Sequence, residues 1–163
     1  MSVHILTIED PIEFRHEHQN CIVHQRELHS DTTSFAQALR AALRQAPKVI
    51  LVGEMRDRET IEIALEAAET GHLVMSTLHT IDAAKTVERI VGVFPLSEQM
   101  VIRNRMAKSF RYVVSQRLIP RKDGSGRVAA IEILKSTLRT RRIRQQGRSR
   151  GQDAAQCHAS RRE

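Results

Sequence analysis

The stretch that decides the fold is residues 49–57, which reads Val-Ile-Leu-Val-Gly-Glu-Met-Arg-Asp. Four consecutive apolar residues, mostly β-branched, are typical of a strand that is buried on both faces, as strands of parallel sheets are. The acid Glu54 follows directly where this strand ends. In open α/β sheets, ligands bind at the carboxyl ends of the strands. The stretch therefore predicts a parallel sheet with an acid at its ligand-binding edge.

Two other apolar runs carry polar residues of the same kind. Residues 5–8 are followed by Glu9 and Asp10, and a third run, which begins at residue 73, is flanked by His72 and His79. The carboxyl ends of parallel strands meet at one edge of a sheet. We therefore expect these acids and histidines to lie together at that edge.

Helical patterns separate the strand-like runs. Apolar residues at helical spacing begin at Phe35, after an N-cap at Ser30 or Asp31, and stop before Pro47. Further helices are predicted at residues 58–69 with Gly71 as cap, from residue 82 to 91 and from about 97 to 111, and strands at 112–119 and 127–133. The fold class predicted is α/β, a mainly parallel sheet with flanking helices and a C-terminal β-hairpin.

The composition fits one aliphatic domain. The chain has 163 residues, of which 40% are hydrophobic and only 3% aromatic. No apolar run approaches the roughly 20 residues of a membrane-spanning helix, and the first residues do not resemble a signal peptide. Cys21 and Cys157 are far apart and form no C-x-x-C pair. We therefore expect free thiols in a reducing cytoplasm.

The basic charge is concentrated at the C-terminal end. Residues 1–138 contain 18 Lys and Arg against 17 Asp and Glu, whereas residues 139–163 contain 8 Arg against 2 acids. This tail has no helical or strand period and is expected to be disordered. We predict that the folded part binds no nucleic acid. A tail that binds nucleic acid or a membrane surface is the alternative, although it lacks the aromatic residues that stack on bases.

The strand-end acids have side chains suited to nucleotide hydrolysis. The carboxylate of Glu54 can orient or deprotonate a water that attacks a γ-phosphate, or act through Mg²⁺. Glu9 and Asp10 form a second acid pair after an equivalent strand. Each acid also has an ordinary structural interpretation, because an acid can simply end a strand and Asp favours a turn before a proline such as Pro11.

The histidines and one arginine complete the candidate site. His72 and His79 can donate a hydrogen bond to a phosphate oxygen, and a charged imidazole also stabilises negative charge. Arg56 can reach a phosphate or an acid on a neighbouring subunit. The structural alternatives are histidines at a helix-to-strand junction and an arginine on a solvated face. No G-x-x-x-x-G-K-[ST] phosphate loop occurs in the sequence, so only half of a nucleotide site is present.

A second group of metal-ligating residues competes with this interpretation. His16, His18, Cys21 and His24 lie within nine residues, with His29 nearby. Imidazole and thiolate are zinc ligands, but the spacing H-x-H-x-x-C-x-x-H matches no established zinc pattern and would strain a tetrahedral site. Solvated loop residues are the favoured interpretation, with a zinc site as the alternative.

Three segments of the chain resemble three motifs of the type II/IV secretion ATPases and follow one another in the same order. Residues 5–14 resemble the aspartate box of that family, residues 50–57 its Walker B motif and residues 70–80 its histidine box. Residues 83–90 and 93–95 are most similar to the branch that retracts type IV pili, the twitching-motility ATPases, and residues 116–118 and 126–132 extend the match. The resemblance covers about residues 4–138.

The resemblance implies a partial RecA-like P-loop NTPase core that works as a homo-hexamer, with ATP and Mg²⁺ at the subunit interfaces. It makes Glu54 the catalytic glutamate and places Glu9 and Asp10 near the metal, directly or through water, and near the attacking water. It assigns His72 and His79 to γ-phosphate sensing or contact. The implied partner is the inner-membrane platform protein of the pilus, at the cytoplasmic face of that membrane.

The sequence also departs from the family. A PAS-like domain, a strand and the Walker A loop precede the aspartate box in that family, and the family pattern continues past Leu138 with helices. Residues 1–138 are therefore interpreted as a partial ATPase domain. Met1 is interpreted as an internal start or a fragment boundary, and the residues from about Arg141 as an out-of-frame tail. The expected function is pilus retraction driven by ATP, with little hydrolysis by this chain alone. The alternative is a non-catalytic module that docks on full-length ATPase subunits.

Overall fold

The computed structural model describes residues 2–137 of the chain. The described residues divide into two compact units, the first ending at Leu78 and the second beginning at His79. The prediction of a single ATPase domain over residues 1–138 stays a prediction, and the predicted tail at residues 139–163 lies outside the described residues. Within the described range, no helix is long and apolar enough to cross a membrane.

The first unit is a four-stranded parallel sheet with two helices, which confirms the predicted mainly parallel sheet. Its strands are β1 (His4–Glu9), β2 (Ile22–Glu27), β3 (Val49–Glu54) and β4 (Leu73–Thr77), and its helices are α1 (Phe35–Leu43) and α2 (Arg58–Glu69). The strand order is β2-β1-β3-β4, and every neighbouring pair is parallel. Residues 49–54 are therefore a central strand of the sheet. The expectation that this strand is buried on both faces is wrong, because Ile50 and Val52 are buried whereas Val49 and Leu51 are only partly buried.

The core forms where β1 and β3 pair. Leu6 lies opposite Ile50, and Ile8 lies opposite Val52. All four side chains are completely buried. They pack against buried residues of the two helices, namely Ala36, Ala38, Leu39 and Ala42 of α1 and Ile63, Ala64 and Ala67 of α2. Burial of each large aliphatic side chain contributes about 1.5–3 kcal/mol, and this face of the sheet contains the hydrophobic core of the unit.

The N-cap of α1 differs from the prediction. Ser34 caps the helix, with its hydroxyl accepting a hydrogen bond from the backbone N–H of Gln37 at 3.1 Å. Asp31 is engaged at the end of β2 instead, where its carboxylate accepts from the backbone N–H of Glu27 at 2.8 Å. The prediction of Ser30 or Asp31 was wrong because a turn closes β2 before the helix begins.

Both ends of α2 are closed by local hydrogen bonds. Asp57 is the N-cap, and its two carboxylate oxygens accept from the backbone N–H of Thr60 at 2.8 Å and from the Thr60 hydroxyl at 2.7 Å. At the other end Gly71 adopts a left-handed φ of 102°, and the backbone N–H of His72 donates to the carbonyl of Ala67. This is the Schellman arrangement, which confirms Gly71 as the predicted cap residue.

The second unit contains α3 (Ala83–Gly92), α4 (Leu96–Ser109) and an antiparallel hairpin of β5 (Tyr112–Pro120) and β6 (Arg127–Lys135). Asp82 is the N-cap of α3, as predicted. The backbone N–H of Ala83 donates to the Glu132 carboxylate, and Arg117 donates to the carbonyl of Ile81. The two contacts tie the start of α3 and the residue before its N-cap to the predicted hairpin.

We expect Asp57→Ala to destabilise the protein by about 2 kcal/mol, because it leaves the hydroxyl of Thr60 without its carboxylate partner. Thr60 is completely buried. The matched control is Ser34→Ala, which removes an exposed N-cap and should cost about 1 kcal/mol or less. Urea unfolding followed by circular dichroism measures both. Equal losses for the two variants would show that the buried Thr60 contact adds nothing.

Candidate functional site

Two of the predicted acids end neighbouring strands. Glu9 is the last residue of β1 and Glu54 is the last residue of β3. Gly53 makes the close approach of these strand ends possible. A β-carbon at this position would lie 3.1 Å from the carbonyl oxygen of Ile8 and 3.4 Å from the Cα of Glu9. The structure thus brings Glu9 and Glu54 to the same edge of the sheet, as the sequence predicted.

Glu9 is held in place by side chains from two strands. Its Oε1 accepts a hydrogen bond from the hydroxyl of Thr7 at 2.6 Å and another from the side-chain amide of Gln25 at 3.0 Å. The same amide donates to the carbonyl of Phe14 at 2.8 Å, and the Gln25 carbonyl oxygen accepts from the backbone N–H of His16 at 2.7 Å. Gln25 therefore fixes both the carboxylate and the loop that follows β1.

Sequence reasoning missed Thr7 and Gln25. Thr7 could have been found, because residues two apart on a strand share a face and Thr7 stands two before Glu9. Gln25 could not, because its place depends on the pairing of β1 with β2, in which it lies opposite Thr7. Nothing in the polar segment around Gln25 indicates that register.

Glu54 lies at an irregularity in the sheet. The pairing of β3 with β4 shifts between Val52 and Glu54, so that Glu54 lies opposite Thr77. The hydroxyl of Thr77 donates to the carbonyl of Gly53. Register shifts of this kind re-aim a side chain and are frequent next to active sites. The shift at Glu54 therefore sets the direction in which its side chain leaves the end of β3.

Arg56 lies beside Glu54. Its Nε is 2.6 Å from the Glu54 Oε2, and the arginine side chain is 71% exposed whereas that of Glu54 is only 13% exposed. The guanidinium thus bridges a largely buried carboxylate and the solvent. Arg56 is therefore placed to meet a negatively charged group that approaches this edge of the sheet. Its predicted contact with a nucleotide stays a prediction.

Asp10 and His79 have exposed side chains. Asp10 follows β1 directly, so it stands next to Glu9 at the acid-bearing edge. His79 is the first residue of the second unit. The catalytic roles predicted for these two residues stay predictions.

His72 does not lie at the acid-bearing edge. It precedes β4, and the register of Val49 with Leu73 places it at the amino ends of the strands. His72 is level with Lys48, which stands six residues before Glu54. At about 3.3 Å for each residue, His72 is about 20 Å along the sheet from Glu54. Its Nδ1 is 3.0 Å from the carbonyl of Ala67. The expectation that the predicted residues gather at one edge is thus wrong for His72, and its predicted nucleotide contact stays a prediction.

The acid pair fits Mg²⁺. Among the residues that the structure describes, no group of three or more His, Cys, Asp and Glu could hold a metal ion. Mg²⁺ in phosphoryl-transfer sites does not need such a cage, because one or two carboxylates, water and the substrate phosphates complete its shell. The hydrogen bonds that Thr7 and Gln25 donate to Glu9 both go to Oε1, so neither of them engages Oε2. Glu9 and Asp10 offer the hard oxygen donors that this ion prefers.

Several known proteins are similar to this chain in sequence. The model of the Type II/IV secretion system protein family matches residues 1–163. The chain is 60% identical over 134 residues to the Type IV pilus retractation ATPase PilT of Pseudomonas aeruginosa, covering 82% of this chain and 39% of that protein. It is 61% identical over 131 residues to a twitching motility protein of Neisseria gonorrhoeae, covering 80% and 35%.

Two solved structures of ATPases have a fold similar to that of this chain. A crystal structure of the pilus retraction motor PilT with bound ADP matches with a TM-score of 0.83 and 53% identity, covering 89% of this chain and 42% of that one. The ATPase DotB of Legionella pneumophila matches with a TM-score of 0.79 and 40% identity, covering 86% and 39%. The chain spans about two fifths of the length of these proteins.

We expect Gly53→Ala to destabilise the protein by about 1–3 kcal/mol, because the new methyl group meets the backbone of β1 and pushes the two central strands apart. The control is Gly92→Ala, since a β-carbon at Gly92 would have nothing within 4 Å. This control should be neutral or stabilising by up to about 1 kcal/mol. Unfolding in urea compares the two, and a Gly53→Ala protein as stable as the Gly92→Ala control would contradict the close approach.

Proposed function

Since the chain belongs to the type II/IV secretion system protein family, we propose that it is part of the ATP-hydrolysing motor domain of a type IV pilus retraction ATPase. The observation that carries this proposal is the placement of Glu54 and Glu9 at the ends of neighbouring parallel strands. This is the edge where α/β sheets bind ligands. The names of the 60% and 61% identical relatives support retraction and twitching motility as the process.

In this proposal Glu54 orients and deprotonates the water that attacks the γ-phosphate of ATP. Its carboxylate is largely shielded from solvent, and a shielded base interacts more strongly with a bound nucleophile. Glu9 and Asp10 would hold Mg²⁺, directly or through water, and the ion would supply charge stabilisation on the phosphates. Arg56 meets the phosphate charge at the exposed side of the same edge.

The two histidines have separate tasks. His79 contacts the γ-phosphate, the role that the family resemblance implies for it. His72 is fixed at the opposite end of the sheet by the C-terminal turn of α2, so we propose that it meets a nucleotide held by a neighbouring subunit. This assignment agrees with the assembly that the resemblance implies, a homo-hexamer with nucleotide at the subunit interfaces.

The proposed setting is the cytoplasmic face of the inner membrane, where the motor works on the platform protein of the pilus. Rotation of domains within the ring would transmit the energy of hydrolysis to pilin subunits. Nucleic acid has no part in this function. The chain spans 39% of the Pseudomonas aeruginosa relative and 35% of the Neisseria gonorrhoeae relative. The setting, the partner and the rotation are therefore proposed for the whole motor, of which this chain is a part.

A chimera tests the role of Glu54. Residues 4–137 replace the matching segment of the Pseudomonas aeruginosa ATPase, which supplies the rest of the motor. We expect the chimera to hydrolyse ATP and Glu54→Gln to lower kcat about 100-fold or more, the usual effect of removing a general base. The matched control is Glu62→Gln on α2, where the carboxylate pairs with Arg58 at 3.0 Å. Equal rates for the Glu54→Gln and Glu62→Gln chimeras would refute the assignment.

The 163-residue chain alone should show no ATPase rate above the blank. Phosphate-loop amides and the loop's lysine perform most of the substrate positioning in this class of reaction, and the sequence contains no such loop. A steady rate that Glu54→Gln abolishes would contradict this expectation.

Size exclusion with the Pseudomonas aeruginosa ATPase tests the alternative function, since co-elution is the result expected of a docking module.

A further inference from the structure

Two histidines meet on the sheet away from the acid-bearing edge. His4 begins β1 and His24 lies in β2, the strand that pairs with β1 in parallel. The Nε2 of His4 is 2.9 Å from the Nδ1 of His24. The ring centroids are 4.9 Å apart, and the ring planes are nearly perpendicular at 86°. Neither Glu9 nor Glu54 takes part in this contact.

The hydrogen bonds of His4 fix its tautomer. Its Nδ1 is 3.3 Å from the backbone carbonyl of Gln45. A carbonyl can only accept, so Nδ1 carries the proton and Nε2 presents a lone pair toward His24. A ring oriented by an N–H donated to a backbone carbonyl is the usual arrangement of a metal-ligating histidine.

We propose that His4 and His24 form a two-imidazole site for a divalent transition metal, with Zn²⁺ or Ni²⁺ as occupants. When the proton of the neutral His24 moves from Nδ1 to Nε2, the lone pairs of His24 Nδ1 and His4 Nε2 face each other. Two nitrogens at 2.0–2.1 Å from a tetrahedral ion are about 3.3 Å apart. The observed 2.9 Å has to widen by about 0.4 Å, and each ring has to tilt so that both lone pairs point at the ion instead of at each other.

The site is open, with two protein ligands. The ring centroid of His18 is 6.2 Å from that of His24. The Nδ1 of His18 is engaged elsewhere, because it accepts a hydrogen bond from the backbone N–H of Val23 at 3.1 Å. The zinc alternative considered from sequence, with His16, His18, Cys21 and His24, is therefore not assembled. This agrees with the lack of any group of three or more ligands in residues 2–137. Water or an external ligand completes the shell, and the affinity is correspondingly modest.

The position of the site gives it a defined effect. His4 stands five residues before Glu9, so the metal would bind about 17 Å from the acid-bearing edge. It would join β1 to β2, the two strands whose pairing also sets the contact of Gln25 with Glu9. A metal that binds only the folded chain raises its stability.

Titration calorimetry of the whole chain with Ni²⁺ tests the proposal, because imidazole suits this ion better than thiolate does. We expect one site in the wild type, with affinity lowered 10-fold or more in both His4→Asn and His24→Asn. The matched control is His16→Asn, an exposed loop histidine outside the pair, which should bind Ni²⁺ as the wild type does. Unchanged affinity in His4→Asn and His24→Asn would overturn the proposal.

A second measurement needs no substitution. Long-range ¹H–¹⁵N spectra of the wild-type imidazoles follow the addition of Zn²⁺, which is diamagnetic. We expect the resonances of His4 Nε2 and His24 Nδ1 to shift together while those of His16 stay in place. Shifts that leave His4 and His24 unmoved would overturn the proposal, even if the asparagine variants failed to fold.

Discussion

The contact on which the rest of the first unit depends is the pairing of β1 with β3. Leu6 and Ile8 meet Ile50 and Val52 in register, and all four side chains are completely buried. The same pairing brings the carboxyl ends of the two strands level, so core packing and site geometry have one cause. A shift of one residue would turn every apolar side chain to the other face and move the acids with them. Packing therefore specifies the position of Glu9 relative to Glu54.

The strands and helices were largely predictable, because each is marked by local chemistry. The four apolar residues before Glu54 predicted a central strand, and helical spacing after Arg58 predicted α2 with its correct bounds. Gly71 was recognisable as a helix cap because glycine reaches positive φ without strain. The N-cap of α1 was misjudged, since several residues before Phe35 can cap a helix and only the turn after β2 decides among them.

The site was less predictable, because it depends on contacts between distant segments. The acids were found from the rule that ligands bind at the ends of parallel strands, which needs no register. Gln25 was missed because its role follows from the pairing of β2 with β1. His72 was grouped with the acids although it precedes its strand, and the direction of β4 places it at the opposite end of the sheet. Strand direction matters as much as sequence distance in such assignments.

Residues 53–57 serve three purposes within five positions. Gly53 allows the close approach of β1, Glu54 is the proposed base, and Asp57 caps α2. Glu54 ends β3 and Asp57 begins the capping of α2, so only Met55 and Arg56 separate the proposed base from the start of the helix. A displacement of α2 would therefore reach the proposed base through a link of two residues.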